Sequence, residues 1–127
     1  TVATQIVTDL GKKTGSELHV VHVGEIPITH YPDRYGYRAL YEEHEREARQ
    51  LLEAEVEKMK AAGATVAQAH LRLGRADEEV VVLAEELGAD LIVMGSRGLG
   101  GVKRALMGSV SDSVVRHAHC PVLVVRA

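Results

Sequence analysis

The chain has 127 residues, of which 46 % are hydrophobic and 26 % charged, with a formal net charge of −3. That length suits one domain able to bury roughly two-thirds of its unfolded surface, and the composition excludes global disorder and the basic footprint of a general nucleic-acid binder. No run approaches the ~18 apolar residues of a membrane span, no signal-peptide pattern opens the chain, and the single Cys120 rules out an internal disulfide, as suits a reducing, cytoplasmic setting.

Phe and Trp are absent, so the core must be aliphatic; the four aromatic residues are tyrosines, all between Tyr31 and Tyr41. From Thr1 to Lys13, Val2, Ala3, Ile6, Val7 and Leu10 recur at helical spacing, with Gly15 as the stop. Residues 18–23 read as a short apolar strand. Residues 24–37, with two prolines and three tyrosines, read as a loop. From Leu40 to Ala62 the stripe Ala48, Leu51, Leu52, Val56 and Met59 predicts a long helix ended by Gly63, its charges forming a solvated face. Residues 66–73 alternate, with Gln68, His70 and Arg72 on the polar side, as suits a strand at a sheet edge. A short helix with an acidic first turn follows over 77–87, stopped by Gly88. Residues 91–94 are continuously apolar, as a strand buried on both faces should be. Residues 109–116 read as a helix and 122–125 as a last strand behind Pro121. Helices alternating with strands imply an α/β domain with a parallel sheet, a single unit over residues 1–127. The alternation opens on a helix, so a strand preceding Thr1 is expected.

The informative stretch runs from Gly95 to Ser111, directly after the apolar strand. Ligands of open parallel sheets bind beyond the carboxyl ends of strands. The stretch holds five glycines together with Arg97, Lys103 and Arg104, and no acidic residue. Glycines let backbone amides approach an anion closely. Ser109 is expected to cap the following helix with Asp112 as its capping-box partner, leaving the amides of Val110 and Ser111 at a positive helix end suited to phosphate. The pattern is neither a P-loop nor a dinucleotide G-x-G-x-x-G, since Lys103 stands where the last glycine would be. From chemistry alone the stretch is an anion site or a flexible surface loop.

Gly95-Ser-Arg-Gly98, nine residues, then Gly108-Ser109, flanked by Ala89-Asp-Leu-Ile-Val-Met94 and His117-Ala-His-Cys-Pro-Val-Leu-Val-Val125, resembles the universal stress protein family over essentially the whole chain. The resemblance implies an open five-stranded parallel sheet in order 3-2-1-4-5 with helices on both faces. It also implies an ATP site, possible with Mg2+, in which Val23 and Met94 contact base and ribose, Gly95, Arg97 and Gly98 line ribose and phosphates, and Gly108, Ser109, Val110 and Ser111 hold phosphate. The family's first strand ends in an aspartate near the adenine; nothing here matches it.

The resulting expectation is an ATP-binding regulatory module that acts as a homodimer through the apolar edge strand Val122–Val125. The alternatives are a slow ATPase or nucleotide-processing enzyme on the same fold and a dimerisation module that binds no nucleotide. No acid–base pair for catalysis stands out, and Asp112 reads as a capping residue. His117, His119 and Cys120 lack the partners a metal site needs, so none is expected. His19, His22 and His70 read as strand residues, and Cys120 as a small buried one. The tyrosine-rich segment 31–41 is either a lid over the ligand or simple packing at the start of the long helix.

Overall fold

The computed structural model describes residues 2–25, 34–95 and 108–125. In chain order the elements are α1 (Val2–Thr14), β1 (Leu18–Gly24), α2 (Arg34–Ala61), β2 (Val66–Leu73), α3 (Ala76–Leu87), β3 (Ile92–Gly95), α4 (Ser109–His117) and β4 (Val122–Val125). Glycine serves as helix stop where the backbone turns left-handed: Gly88, at φ +62°, ends α3 and donates its N–H to the carbonyls of Ala84 and Glu85.

β1 and β2 run parallel, from Leu18 opposite Val66 to Gly24 opposite Leu73, with one irregularity between Leu18 and His19 where Ala67 is skipped. β3 and β4 run parallel from Ile92 opposite Val122 to Gly95 opposite Val125. Among the described residues these form two two-stranded sheets rather than one ladder. The parallel α/β architecture therefore stands, while the five-strand order is not what these residues build among themselves.

Helices cover both faces of the β1–β2 pair. α2 lies on one: a Cβ on Gly24 would fall 2.9 Å from Ala48 Cβ of α2 and 2.9 Å from Leu73 Cδ2. α3 lies on the other, where Arg72 Nη2 meets Glu86 Oε2 at 2.8 Å. α1 packs on β3 and against α2, and α4 packs on α3 and β4. The core is aliphatic, as the absence of Phe and Trp requires: Ala48, Leu52 and Met59 of α2, Leu83 of α3, Val114 of α4 and Val125 of β4 are buried. Each large aliphatic side chain so buried contributes about 1.5–3 kcal/mol.

Four sequence expectations change. α2 starts at Arg34, so the loop expected to reach residue 37 gives up its last residues to helix. Leu51 is 47 % exposed, because it stands one position around from the stripe that Ala48, Leu52 and Met59 define. β3 is only half-buried along its length; with a single ladder partner, its second edge is uncovered among the described residues. In α1 the buried residues are Thr4 and Thr8. Their hydroxyls are satisfied: Thr8 Oγ1 donates to Thr4 O at 2.8 Å, and Thr4 Oγ1 donates to Glu55 Oε1 of α2 at 2.7 Å.

Candidate functional site

β3 ends at Gly95 and α4 begins at Ser109. Arg97, Gly98, Lys103 and Arg104 lie between them, outside the described residues. Gly108 is the N-cap of α4, extended at φ −68° and ψ 162°, and no side chain caps the helix. The expected capping box is thus overturned. Ser109 sits inside the helix at its first position and is exposed. Asp112 donates its amide to Gly108 O at 2.9 Å, and its carboxylate pairs with Arg116 at 3.1 Å instead of reaching back.

The geometry leaves an amide cluster at the head of α4. The first N–H groups of a helix have no intrahelical acceptor, and these belong to Ser109, Val110 and Ser111. Ser111 is buried and its hydroxyl donates to Gly108 O at 3.1 Å. It therefore braces the turn, and its amide rather than its hydroxyl remains for a ligand. Val110 is half-buried beside it. Among the described residues no capping side chain competes for these donors, and the helix dipole adds positive potential there.

Val23 lies one residue from the carboxyl end of β1, opposite Arg72. Met94 and Gly95 close β3, opposite Val124 and Val125. The head of α4 and the end of β3 flank the same glycine-rich connection, whereas Val23 belongs to the other strand pair.

A second polar cluster, missed in the sequence, joins α3 to α4. Ser113 Oγ donates to Asp77 Oδ2 at 2.7 Å, and Arg75 Nη2 approaches the same oxygen at 3.2 Å. The Ser113 hydrogen bond, seconded by backbone N–H groups and the Arg75 charge, holds the Asp77 carboxyl below its ordinary range against a desolvation that opposes it. His117 Nδ1 donates to Ser113 O at 2.8 Å. Ser, His and Asp meet here, but not as a nucleophile and base: the serine proton goes to Asp77 and the imidazole donates to a carbonyl. Partners 36 residues apart leave no local signal, and Asp77 read only as an acidic first-turn residue.

Among the described residues no three His, Cys, Asp or Glu side chains gather as a metal cluster. His119 Nε2 lies 2.6 Å from Glu85 Oε1, at the surface. Cys120 is half-buried. His22, on the face of β1 that α2 covers, is held below the usual imidazole range by burial. His70 is lowered too, by desolvation first and then by His19 and Arg72, with Glu86 opposing.

The model of the universal stress protein family matches residues 1–126. The chain belongs to the universal stress protein family. Among its relatives is the universal stress protein MJ0531 of Methanocaldococcus jannaschii, 32 % identical over 125 residues, which cover 98 % of this chain and 73 % of that protein. Among solved structures, that of MJ0577 superposes with a TM-score of 0.77 at 27 % identity, covering 99 % of this chain and 86 % of the other. A universal stress protein solved in complex with cAMP superposes with a TM-score of 0.63 at 27 % identity, covering 98 % and 84 %. No described helix is long and apolar enough to cross a membrane.

Proposed function

We propose that this universal stress protein is a single-domain, cytoplasmic, ATP-binding regulatory module. The observation that carries the reading is the head of α4, where Gly108 opens the helix with no capping side chain, at the family's spacing from the glycine at the end of β3. In this reading Gly108, Ser109, Val110 and Ser111 hold phosphate, the first through backbone amides and Ser109 with its exposed hydroxyl as well. Gly95, Arg97 and Gly98 line ribose and phosphates, and Val23 and Met94 meet the base and ribose. The related structure with bound cAMP supports an adenine nucleotide as the ligand class. Any Mg2+ would arrive with the phosphates; the one carboxylate in the first turn of α4, Asp112, is already paired with Arg116, so no residue is assigned to it.

The sheet belongs to the same reading. The pairs β2–β1 and β3–β4 are the two halves of the order 3-2-1-4-5, with the central place between β1 and β3. The outer edge of β4 serves a homodimer. Leu123 on that strand is 38 % exposed, and apolar strand edges favour pairing with a second copy.

Ser109→Glu tests the site without unfolding it. An acidic residue in the first turn stabilises a helix by about 0.3–1 kcal/mol, yet it places a like charge where phosphate would sit. Titration calorimetry should show ATP affinity falling by at least about tenfold, the equivalent of 1.4 kcal/mol, while the melting temperature holds or rises. Unchanged ATP affinity would overturn the assignment. A panel of ATP, AMP and cAMP then ranks the ligands, with ATP expected to bind most tightly. Sedimentation of Leu123→Lys should give a monomer where the parent chain gives a dimer; a parent chain that is itself monomeric at micromolar concentration would remove the interface.

A further inference from the structure

We propose that His19 and His70 form an acid-sensitive latch: their mutual hydrogen bond holds the start of β1 to β2 while at least one ring is neutral, and a proton on each ring opens it. The latch lies away from the glycine-rich connection and does not depend on the nucleotide reading.

The strand irregularity creates it. In a parallel pair, residues opposite one another point to the same face, and a one-residue slip exchanges the faces. Had the register set by Leu18 and Val66 continued, His70 would share the face of His22. Because Ala67 is skipped, His19 stands opposite Gln68 and Val21 opposite His70. The two imidazoles then meet diagonally across the ladder on the α3 face. His19 Nδ1 lies 2.9 Å from His70 Nε2, and the rings stack with centroids 5.2 Å apart and planes at 26°. The side-chain bond thus joins the strands next to the place where their ladder is irregular.

The supply of lone pairs makes the bond sensitive to acid. On the far side of His19, Nε2 lies 3.5 Å from Glu17 Oε1, which favours the tautomer with its proton on Nε2. His19 Nδ1 then accepts, and His70 Nε2–H donates. The lone pair of His70 Nδ1 takes no part in the bond. A first proton taken there leaves the bond in place and charge-assisted. A second has only His19 Nδ1 to go to, where it removes the acceptor and sets two cations face to face.

The neighbouring charges do not offset that repulsion. Glu17 is 75 % exposed, so water screens it. On the same face Arg72 of β2 adds positive charge, matched at 2.8 Å by Glu86 of α3. The other α3 carboxylates are engaged elsewhere: Asp77 with Ser113 and Arg75, Glu78 with Arg75, and Glu85 with His119, while Glu79 lies beside Gly74. α2 covers the opposite face, which His22 shares. Desolvation first, then His19 and Arg72, keep His70 below the ordinary imidazole range, with Glu86 opposing. A lowered value supports the closed pair fully above about pH 6.5, and that support is lost as the pH falls from there.

Long-range 1H–15N spectra of the imidazoles, followed in the unliganded full chain from about pH 8 to about pH 5, test the latch together with hydrogen exchange of the β1 amides. At the upper end a scalar coupling should run through the hydrogen bond from His70 Nε2 to His19 Nδ1. On acidification the rings should titrate in two linked steps, and the coupling should vanish with the second. Protection of the β2-bonded amides of residues 19–21, corrected for intrinsic exchange, should be lost with it. His19→Gln should move the His70 titration upward and make that protection independent of pH. His22→Gln and His119→Gln should leave the acid-induced loss in place. The spectra of the unmodified chain decide the matter even if a variant fails to fold. No coupling at the upper end, independent titration of the two rings, or undiminished acid sensitivity in a folded His19→Gln variant would each overturn the proposal.

Discussion

Gly24 shows how tightly a single position can be specified. It closes β1, and a side chain there would press on Ala48 Cβ and Leu73 Cδ2, both 2.9 Å from the place of its Cβ. Neither neighbour is the loose end of a long chain. Overpacking of this kind costs about 1–3 kcal/mol, so Gly24→Val should lower unfolding stability by about that amount, read from the urea midpoint at unchanged m-value; a neutral result would mean that α2 lifts off the strands easily. His22 gives a second residue-scale consequence. Burial lowers its pKa in the folded chain from the ordinary 6.5, so the unfolded chain takes up this proton first. The neutral form's contribution is complete above about pH 6.5 and is lost as the pH falls from there towards the folded value. His22→Gln should flatten the decline in stability between pH 7 and pH 5; an identical slope would show that His22 is as solvated folded as unfolded.

At the scale of elements, the bond from Ser113 to Asp77 ties the helix that begins at Gly108 to α3. It braces α4 from the side, along with the packing of buried Val114. Ser113→Ala and Asp77→Asn should each cost about 1 kcal/mol, typical of a net hydrogen bond, and a double-mutant cycle should show them coupled. Because the cluster steadies the phosphate-facing turn without touching it, both variants should also weaken ATP binding while leaving the same residues in contact; unaffected binding would make the bond purely structural. Much of this element layer was legible. Periodicity placed every helix and strand, and the bounds of β2 and β4 were read directly from alternation and from the apolar run behind Pro121. The start of α2 was not legible, since Tyr35, Gly36 and Tyr37 carry turn-like composition and no apolar stripe. Nor was the cap of α4: Ser-x-x-Asp fits a capping box in sequence, but the helix opens one residue earlier, at Gly108. The glycine spacing revealed the ligand end, whereas Asp77–Ser113 and His19–His70 depend on tertiary register.

For the whole molecule, the governing fact is that, among the described residues, two parallel strand pairs are held by helices rather than by one continuous ladder. Successive residues of a strand send their N–H groups to opposite edges. In this chain one edge of β1 and one of β3 lack a strand partner among the described residues. Hydrogen exchange should therefore alternate along β1, with amides bonded to β2 protected and the intervening ones exchanging fast. Uniform protection would mean that the seam is closed in solution. A strand occupying the central place of the order 3-2-1-4-5 should convert the alternating pattern to a uniform one.

α2 has 28 residues, and Ala48, near its middle, rests against Gly24, the last residue of β1. The part of the helix before Ala48 spans about 20 Å, and its described residues from Arg38 on are mostly exposed. Helical turns that bury little surface open locally before the domain unfolds. Trypsin should sever it at Arg38 long before the domain unfolds, leaving the β1–β2 pair and its helices intact. Ala48 meets Gly24, the residue after Val23, which the nucleotide reading sets against base and ribose. The rate of that cut, measured with and without ATP, would thus report occupancy of the site from a distance.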